Sequence, residues 1–245
     1  MINITVGSFK GGVGKSTVSL NFAYELSKYG KVLLVDTDPQ NSLAFFLCQE
    51  FDKGFSEILF MNADIDNLIK KPFPEDNNNF HFLPTGVYGI NNPTYYEDEF
   101  SLDKVERFLK LIKNFDFEYI VYDTPPRISK HIETLIQASE DFLLVLTPDP
   151  ATYSSFVIFL KFLEENNLKE KVLCLTNQTE PTKISEDFTK LISLHFKKRN
   201  LGFLPRDLTV IESQGKCRPT VAYNSDCPFS IFLKKAVLNY LKLKT

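Results

Sequence analysis

The chain has 245 residues and a formal net charge of −3, and 43% of its residues are hydrophobic, which predicts one α/β domain with a full core. No apolar run reaches the roughly 18 residues of a membrane span and no signal-peptide pattern is present, so we expect a cytoplasmic protein. The four cysteines and three scattered histidines lack metal-type spacing, which excludes a Cys/His metal site and predicts reduced thiols.

The first predicted elements are a strand over residues 2–6 and an amphipathic helix over residues 18–26, joined by a glycine-rich loop. This loop nearly meets the phosphate-binding pattern G-x-x-x-x-G-K-[ST], with Ser8 where the first glycine is expected. Its N–H groups can bind phosphate oxygens, Lys15 can reach the β- and γ-phosphates and the Ser16 hydroxyl can ligate Mg²⁺. The predicted nucleotide-binding residues in the loop are Gly11, Gly12, Val13, Gly14, Lys15, Ser16 and Thr17.

The next predicted strand covers residues 31–35 and ends in two carboxylates, Asp36 and Asp38. Its continuous apolar run is typical of a buried parallel strand, whose carboxyl end opens onto the ligand crevice. Asp38 is also a suitable N-cap for a helix from Gln40 onward. Both roles for Asp38 stay open at this point.

A later strand, over residues 117–122, ends in Asp123 and is followed by Thr-Pro-Pro. An apolar strand ending in Asp is the Walker B pattern, whose carboxylate holds Mg²⁺, often through water. Many strands end in Asp, so the pattern carries weight only because the phosphate-binding loop precedes it.

The elements alternate between strand and helix along the chain, which predicts a parallel sheet with right-handed crossovers. We therefore expect an α/β fold: one doubly wound, mostly parallel sheet of the P-loop NTPase type, in a single domain of residues 1–245. The region 51–79 is less regular and ends in an exposed loop. The other predicted elements are strands at 80–84, 142–148 and 171–177 and helices at 101–114, 154–166 and 229–241.

The phosphate-binding loop carries a second lysine, Lys10, in the form K-G-G-V-G-K-S. This form resembles the deviant Walker A motif of the ParA/MinD family of ATPases. The segments at 36–40 (D-T-D-P-Q) and 123–126 (D-T-P-P) resemble its switch I and switch II, and the similarity covers essentially the whole chain. ParA/Soj-type partition ATPases are the most similar members. Residues 146–152 are more similar to MinD and FlhG, and other segments to the cellulose-secretion member.

The resemblance implies Mg-dependent hydrolysis of ATP to ADP and phosphate in a homodimer that forms on ATP binding. It implies that Lys10 reaches across this dimer to the partner's phosphates and that Asp38 orients the attacking water. A carboxylate suits that role because it accepts a hydrogen bond from water. The implied catalytic residues are Lys10, Lys15 and Asp38. The implied Mg²⁺ residues are Ser16, Asp36 and Asp123, with Asp36 in a supporting role.

By the same resemblance, the adenine base is bound at two later segments. Asn177 matches an adenine-contacting asparagine, and an amide can pair with both a donor and an acceptor on the base edge. Pro205 and Arg206 match a segment that packs against the base. The alternative is that Asn177 and Pro205 are ordinary turn formers at strand ends.

Basic residues concentrate in the C-terminal quarter: residues 183–245 hold 12 basic and five acidic side chains, although the whole chain is acidic. ParA proteins bind DNA without sequence preference through basic residues in this part, so the resemblance implies a DNA surface. The alternative is that these side chains only solvate helix faces. The candidate DNA-binding residues are Lys197, Lys198, Arg199, Lys216, Arg218, Lys234 and Lys235.

The helix at 229–241 has an apolar face that could lie on an anionic bilayer or pack on the core. Membrane-binding relatives carry an additional tail after this helix, and this chain ends without one. Association with a membrane is therefore not expected, and association with the nucleoid stays open.

We interpret the chain as a dimerising switch ATPase that partitions or positions DNA or another large cargo and hydrolyses ATP slowly until a ParB-like or other partner stimulates it. One alternative is a MinD/FlhG-like or secretion-associated ATPase acting at a membrane or on a protein complex. Another is an ATP-bound scaffold without turnover. A nitrogenase-reductase-like enzyme is disfavoured, because no cysteine follows Asp123 closely enough to ligate a cluster.

Overall fold

A sheet of seven parallel strands runs through the part of the chain that the computed structural model describes, residues 1–126 and 129–244. Its strands are β1 (Ile2–Gly7), β2 (Val32–Asp36), β3 (Phe80–Leu83), β4 (Tyr119–Asp123), β5 (Asp141–Leu146), β6 (Val172–Thr179) and β7 (Asn200–Pro205). Their order across the sheet is β3-β2-β4-β1-β5-β6-β7, and each neighbouring pair is parallel. The predicted α/β fold with a doubly wound parallel sheet is confirmed.

The strand order places the glycine-rich loop at a ligand crevice. The loop follows β1, which lies between β4 and β5, and the chain passes to β2 on one side of β1 and later to β5 on the other. Ligands of doubly wound sheets bind at such a switch point, outside the carboxyl ends of the strands.

Helices cover both faces of the sheet, which explains why the central strands are apolar throughout. The helices are α1 (Lys15–Leu26), α2 (Ser42–Leu47), α3 (Phe55–Met61), α4 (Tyr88–Asn91), α5 (Pro93–Asp98), α6 (Leu102–Ile112), α7 (Lys130–Ala138), α8 (Pro150–Glu165), α9 (Lys183–Phe196), α10 (Thr209–Gly215), α11 (Thr220–Tyr223) and α12 (Pro228–Lys244). One face packs on α1, α2 and α12, and the other packs on α3, α6, α7, α8 and α9.

Three predicted elements differ from the structure. The helix predicted to be amphipathic, α1, is buried continuously from Val18 to Leu26, because it lies between the sheet and α12. The irregular region 51–79 contains the helix α3. The helix predicted to start at residue 154 begins at Pro150, because the Asp149 side chain accepts a hydrogen bond from the N–H of Thr152 and caps it.

The apolar face of α12 lies in the core. Phe229, Leu233, Val237 and Tyr240 are buried in the same cluster as α1, so this face packs on the domain instead of facing outward. Among the described residues, no helix combines the length and apolar character needed to cross a bilayer.

The prediction of reduced cysteines is wrong for two of the four. Cys48, at the end of α2, and Cys217, which follows α10, form a disulfide across 169 residues of sequence. Cys174 and Cys227 are free and buried. Sequence spacing could not show the pair, because the packing of α2 against α10 brings the two cysteines together.

Candidate nucleotide site

The glycine-rich loop connects the end of β1 to the first residue of α1. Gly12 and Gly14 have φ angles of 79° and 83°, a left-handed region that favours glycine. A Cβ atom on Gly14 would also overlap the side-chain amide of Asn177. At the position of the missing first glycine, the Ser8 hydroxyl accepts a hydrogen bond from the N–H of Lys10 (3.3 Å) and so stabilises the turn.

Lys15 and Asp123 form a buried ion pair, with 3.1 Å between Nζ and Oδ1. The Ser19 hydroxyl donates to the same Oδ1 atom at 2.7 Å, and Lys15 also donates to the Ser16 hydroxyl at 3.2 Å. The structure thus joins the predicted phosphate-binding lysine, the predicted Mg²⁺ serine and the Walker B carboxylate in one cluster.

Asp36 and Asp38 lie beside this cluster. Both carboxylate oxygens of Asp36 accept backbone hydrogen bonds, from Asp38 (3.0 Å) and from Leu43 (3.2 Å) at the start of α2. Burial, followed by the nearby charges of Asp123 and Asp38, raises the pKa of Asp36 well above its ordinary value. Because both oxygens are engaged, Asp36 suits a supporting role better than direct metal ligation.

Asp38 does not cap a helix, so that alternative is wrong. Helix α2 begins at Ser42 with Asn41 as its N-cap, and Asp38 instead accepts a hydrogen bond from the N–H of Gln40 at 3.0 Å. The Thr85 hydroxyl lies 2.8 Å from the carbonyl oxygen of Asp38, and the Tyr96 hydroxyl donates to the neighbouring carbonyl of Thr37 at 3.1 Å. Segments outside the strand therefore hold this turn in place.

These residues line a cleft of about 460 Å³. The lining residues are Lys10, Gly11, Gly12, Val13, Gly14, Lys15, Ser16, Thr17, Asp38, Gln40, Ser42, Phe46 and Pro126. The structure thus brings the whole predicted phosphate loop into one space with Asp38. Asp123 and Asp36 lie buried beneath it.

The donor set fits Mg²⁺ bound together with a nucleotide. Asp123 Oδ2 is buried and has no hydrogen-bond partner within residues 1–126 and 129–244, so it can accept from water of a hydrated cation. No group of three or more His, Cys, Asp or Glu side chains in the described parts of the chain could hold a metal by itself. Phosphate oxygens and the Ser16 hydroxyl would complete the shell.

The Lys10 side chain is held at the start of α8. Its Nζ atom lies 3.2 Å from Asp149 Oδ1 and 3.2 Å from the Thr152 hydroxyl, at the start of α8. Burial alone would raise the pKa of Asp149, but hydrogen bonds from Thr147, Thr152 and Lys10 together hold it well below its ordinary value. Asp149 is thus a charged carboxylate that keeps the partly exposed Lys10 at the rim of the cleft.

The end of β6 contacts the loop through two side-chain amides. Asn177 donates to the carbonyl of Val13 at 2.8 Å, and Gln178 donates to the carbonyl of Gly12 at 3.0 Å. Sequence reasoning missed Gln178, although its place next to Asn177 was an available signal. The predicted base residue Pro205 ends the adjacent strand β7, and Arg206 follows it and pairs with Glu180 at 2.8 Å. Neither residue is among those that line the cleft.

The family model described as AAA domain matches residues 1–173 of the chain. A virulence plasmid ParA family protein of Chlamydia psittaci, pGP5-D, is 29% identical over 214 residues, which cover 84% of this chain and 81% of that protein. The chain belongs to the ParA/MinD family of P-loop ATPases.

Two solved structures show the same ParA/MinD fold. One is a protein of Borrelia burgdorferi B31 bound to AMPPNP and described as a plasmid partition protein, with a TM-score of 0.82, 23% identity and 99% of both chains covered. The other is the septum site-determining protein MinD of Pyrococcus horikoshii OT3 complexed with Mg-ADP. Its TM-score is 0.80 and its identity 20%, covering 99% of this chain and 97% of that one.

The candidate DNA-binding residues of this ParA/MinD-family chain do not form one cluster. Lys197, Lys198 and Arg199 precede the amino end of β7, whereas Lys216 and Arg218 follow α10, which contacts the nucleotide side through Gln214 and Thr17. Lys234 and Lys235 lie on α12. Arg199 and Arg218 are paired with Glu170 and Asp76.

Proposed function

We propose that the chain is an ATP-dependent dimerising switch that partitions or positions DNA or another large cargo and hydrolyses ATP slowly until a partner protein stimulates it. The observation that carries this proposal is the cleft in which the phosphate loop faces Asp38 while the partly exposed Lys10 is bonded to Asp149 instead of to the phosphate site. Such a lysine is available to a nucleotide bound by a second copy.

We assign each predicted site residue a part in this function. With a nucleotide bound, Lys15 would leave Asp123 for the β- and γ-phosphates, and the Asp123 carboxylate and the Ser16 hydroxyl would hold Mg²⁺. When bound, the cation would neutralise phosphate charge. Asp38 accepts a hydrogen bond from the attacking water, and Lys10 supplies positive charge from the other subunit, as an arginine finger does. Asn177, Pro205 and Arg206 bind the adenine base.

The switch follows from how Asp38 is held. Hydrogen bonds with Asp36, Thr85 and Tyr96 hold its turn in place. A γ-phosphate that contacts Asp38 would therefore alter all three hydrogen bonds. Differential contacts of ATP and ADP with this turn would then shift the monomer–dimer equilibrium. The dimer presents a composite surface to DNA and to a ParB-like partner.

The test is the oligomeric state of the purified chain with Mg²⁺ and ADP, ATP or AMPPNP, measured by light scattering after gel filtration. We expect dimers with ATP and AMPPNP only. Lys10→Ala should bind nucleotide yet remain monomeric, whereas the control Lys53→Ala, in an exposed loop, should dimerise normally. A wild-type monomer with AMPPNP, in both the presence and the absence of DNA, would overturn the switch.

Turnover and cargo are tested on the same samples. ATP-dependent DNA binding that weakens steeply with salt would support partitioning on DNA. Dimers that do not bind DNA would favour a protein-docked positioning ATPase. Stable ATP-bound dimers without turnover, even with a partner present, would identify a scaffold.

A further inference from the structure

We propose that Cys48 and Cys217 form a reversible thiol–disulfide site that sets how freely one wall of the nucleotide cleft moves. Their Cα atoms are 5.6 Å apart, within the range of roughly 4.4–6.8 Å found for native disulfides. Packing alone therefore places the two residues for bonding. The effect on nucleotide exchange rests on the function proposed above, whereas the bond itself does not.

The bridge joins two elements that both reach the cleft. Cys48 ends α2, whose Phe46 lines the cleft. Cys217 lies two residues beyond α10, whose Gln214 donates to the Thr17 hydroxyl of the phosphate loop at 3.0 Å. The disulfide therefore fixes the wall that carries Phe46 to the element that contacts the loop.

Helix α2 depends on its anchors. It has six residues, too few for a helix to be stable by itself, and its first turn is held by the hydrogen bond from the Leu43 N–H to Asp36. The disulfide is the covalent anchor at its other end. Reduction leaves only non-covalent packing there, so the α2 segment opens more often and its motion reaches the Asp36 carboxylate.

The disulfide is more accessible to a reductant in solution than the two free cysteines are. Cys48 is exposed, whereas Cys174 and Cys227 are buried and burial raises the pKa of the Cys174 thiol. A thiolate of a dithiol reductant attacks the Cys48 sulfur, the bond to Cys217 breaks, and Cys217 leaves as a thiolate that takes up a proton. The second reductant thiol then displaces Cys48, so two electrons pass to the protein and the reductant becomes a disulfide.

To test the bond, the denatured protein is alkylated before and after treatment with dithiothreitol, and the mass of each product is measured by mass spectrometry. Non-reduced protein should take up two alkyl groups, on the free Cys174 and Cys227, and reduced protein should take up four. Four groups without reductant, after purification in air, would overturn the proposal.

The consequence is tested by hydrogen exchange of residues 42–48 and by the release rate of a fluorescent ADP analogue. Reduction should speed both by roughly fivefold. Cys48→Ser and Cys217→Ser should each show the exchange and release rates of the reduced wild type, and dithiothreitol should not change these rates. Equal exchange and equal release in the oxidised and reduced forms would refute the redox control while leaving the nucleotide function intact. Failure of both forms to bind the analogue would instead refute the proposed function, and exchange at 42–48 would still decide the redox proposal.

Discussion

Lys10 and Asp149 are paired within the chain, although Lys10 is proposed to act on the partner's nucleotide. The pair is partly exposed, with 41% of the Lys10 side chain and 36% of the Asp149 side chain accessible. An exposed ion pair is worth about 0.2–1 kcal/mol. The pair is therefore weak enough to be exchanged for a phosphate contact and strong enough to bias the resting position of Lys10.

Asp149→Asn should release Lys10 without uncapping α8, because Asn is also a good N-cap. We expect the AMPPNP-bound dimer to tighten by up to about fivefold, the factor that corresponds to the loss of a competing exposed ion pair. Sedimentation velocity at several protein concentrations measures this. In a Lys10→Ala background the same substitution should change nothing, and an unchanged dimer affinity in the wild-type background would show that the pair does not compete.

Gln178 is a second residue whose contribution can be tested by one substitution. Gln178→Met keeps the length of the side chain but removes the N–H that binds the carbonyl of Gly12. Losing one such bond costs about 0.5–1.5 kcal/mol, so ATP affinity should fall roughly two- to tenfold. Calorimetric titration with AMPPNP measures the loss. Gln137→Met, at an exposed site on α7, is the matched control and should bind as the wild type does.

At the scale of elements, Asp207 joins β7 to two helices. Its Oδ1 atom accepts the N–H of Thr209 at the start of α10 (2.9 Å), and its Oδ2 atom accepts the N–H of Phe229 at the start of α12 (3.1 Å). Burial would raise the pKa of Asp207, but these hydrogen bonds outweigh it and lower the pKa below its ordinary value. One carboxylate thus fixes the relative position of both helices.

Asp207→Asn leaves one acceptor oxygen for two N–H groups, so it should destabilise the chain by about 0.5–1.5 kcal/mol at pH 7, the usual contribution of one hydrogen bond. Since the folded-state pKa is lowered, this stabilisation is present above the unfolded pKa of about 3.9 and is lost as pH falls through the folded value. Urea unfolding at pH 7 and pH 3 measures both. The difference from the wild type should shrink at pH 3, and the exposed control Asp187→Asn should change stability by less than about 0.5 kcal/mol at either pH.

The local parts of the site were predictable, because each depends on a short segment. The loop from Ser8 to Ser16 needs particular backbone angles, and Asp36 and Asp123 simply end apolar strands. The contacts of Lys10 with Asp149 and of Gln178 with Gly12 join residues 139 and 166 positions apart. They depend on how α8 and β6 pack, and no spacing in the sequence records that.

Helix α1 shows the same limit at the level of an element. Ser19 and Asn21 are polar residues of a helix predicted to be amphipathic, yet both are buried and hydrogen-bonded. Ser19 donates to Asp123, and the Asn21 side-chain oxygen accepts the N–H of Val221 at 3.1 Å. Hydrophobic periodicity cannot distinguish a polar residue facing water from one whose partner lies on a distant segment.

At the scale of the whole molecule, the acidic and basic residues are unevenly placed along the chain. The candidate DNA residues extend from the amino end of β7 to the region after α10, so DNA would contact several elements at once. Lysines without an ion pair contribute most to such binding, because they displace counterions from phosphates without losing a protein partner.

Lys234→Ala combined with Lys235→Ala should weaken DNA binding and lower the slope of log K against log salt by about 2. Fluorescence anisotropy with a labelled duplex and AMPPNP, repeated over a salt series, measures this. Replacing the exposed lysines Lys110 and Lys113, on α6 and just after it, changes the net charge equally and should leave the slope unaltered. Equal slopes for both double variants would remove α12 from the DNA surface.

The Cys48–Cys217 disulfide also closes the oxidised chain into a covalent ring with two free ends. Residues 48–217 form a closed covalent ring that contains β3 to β7, and the two free ends, which carry β1, α1, β2 and α12, emerge at the same point. A protease that cuts once anywhere inside the ring leaves the molecule as a single covalent unit. A nicked chain would therefore migrate at full mass until a reductant is added, and then separate into two fragments.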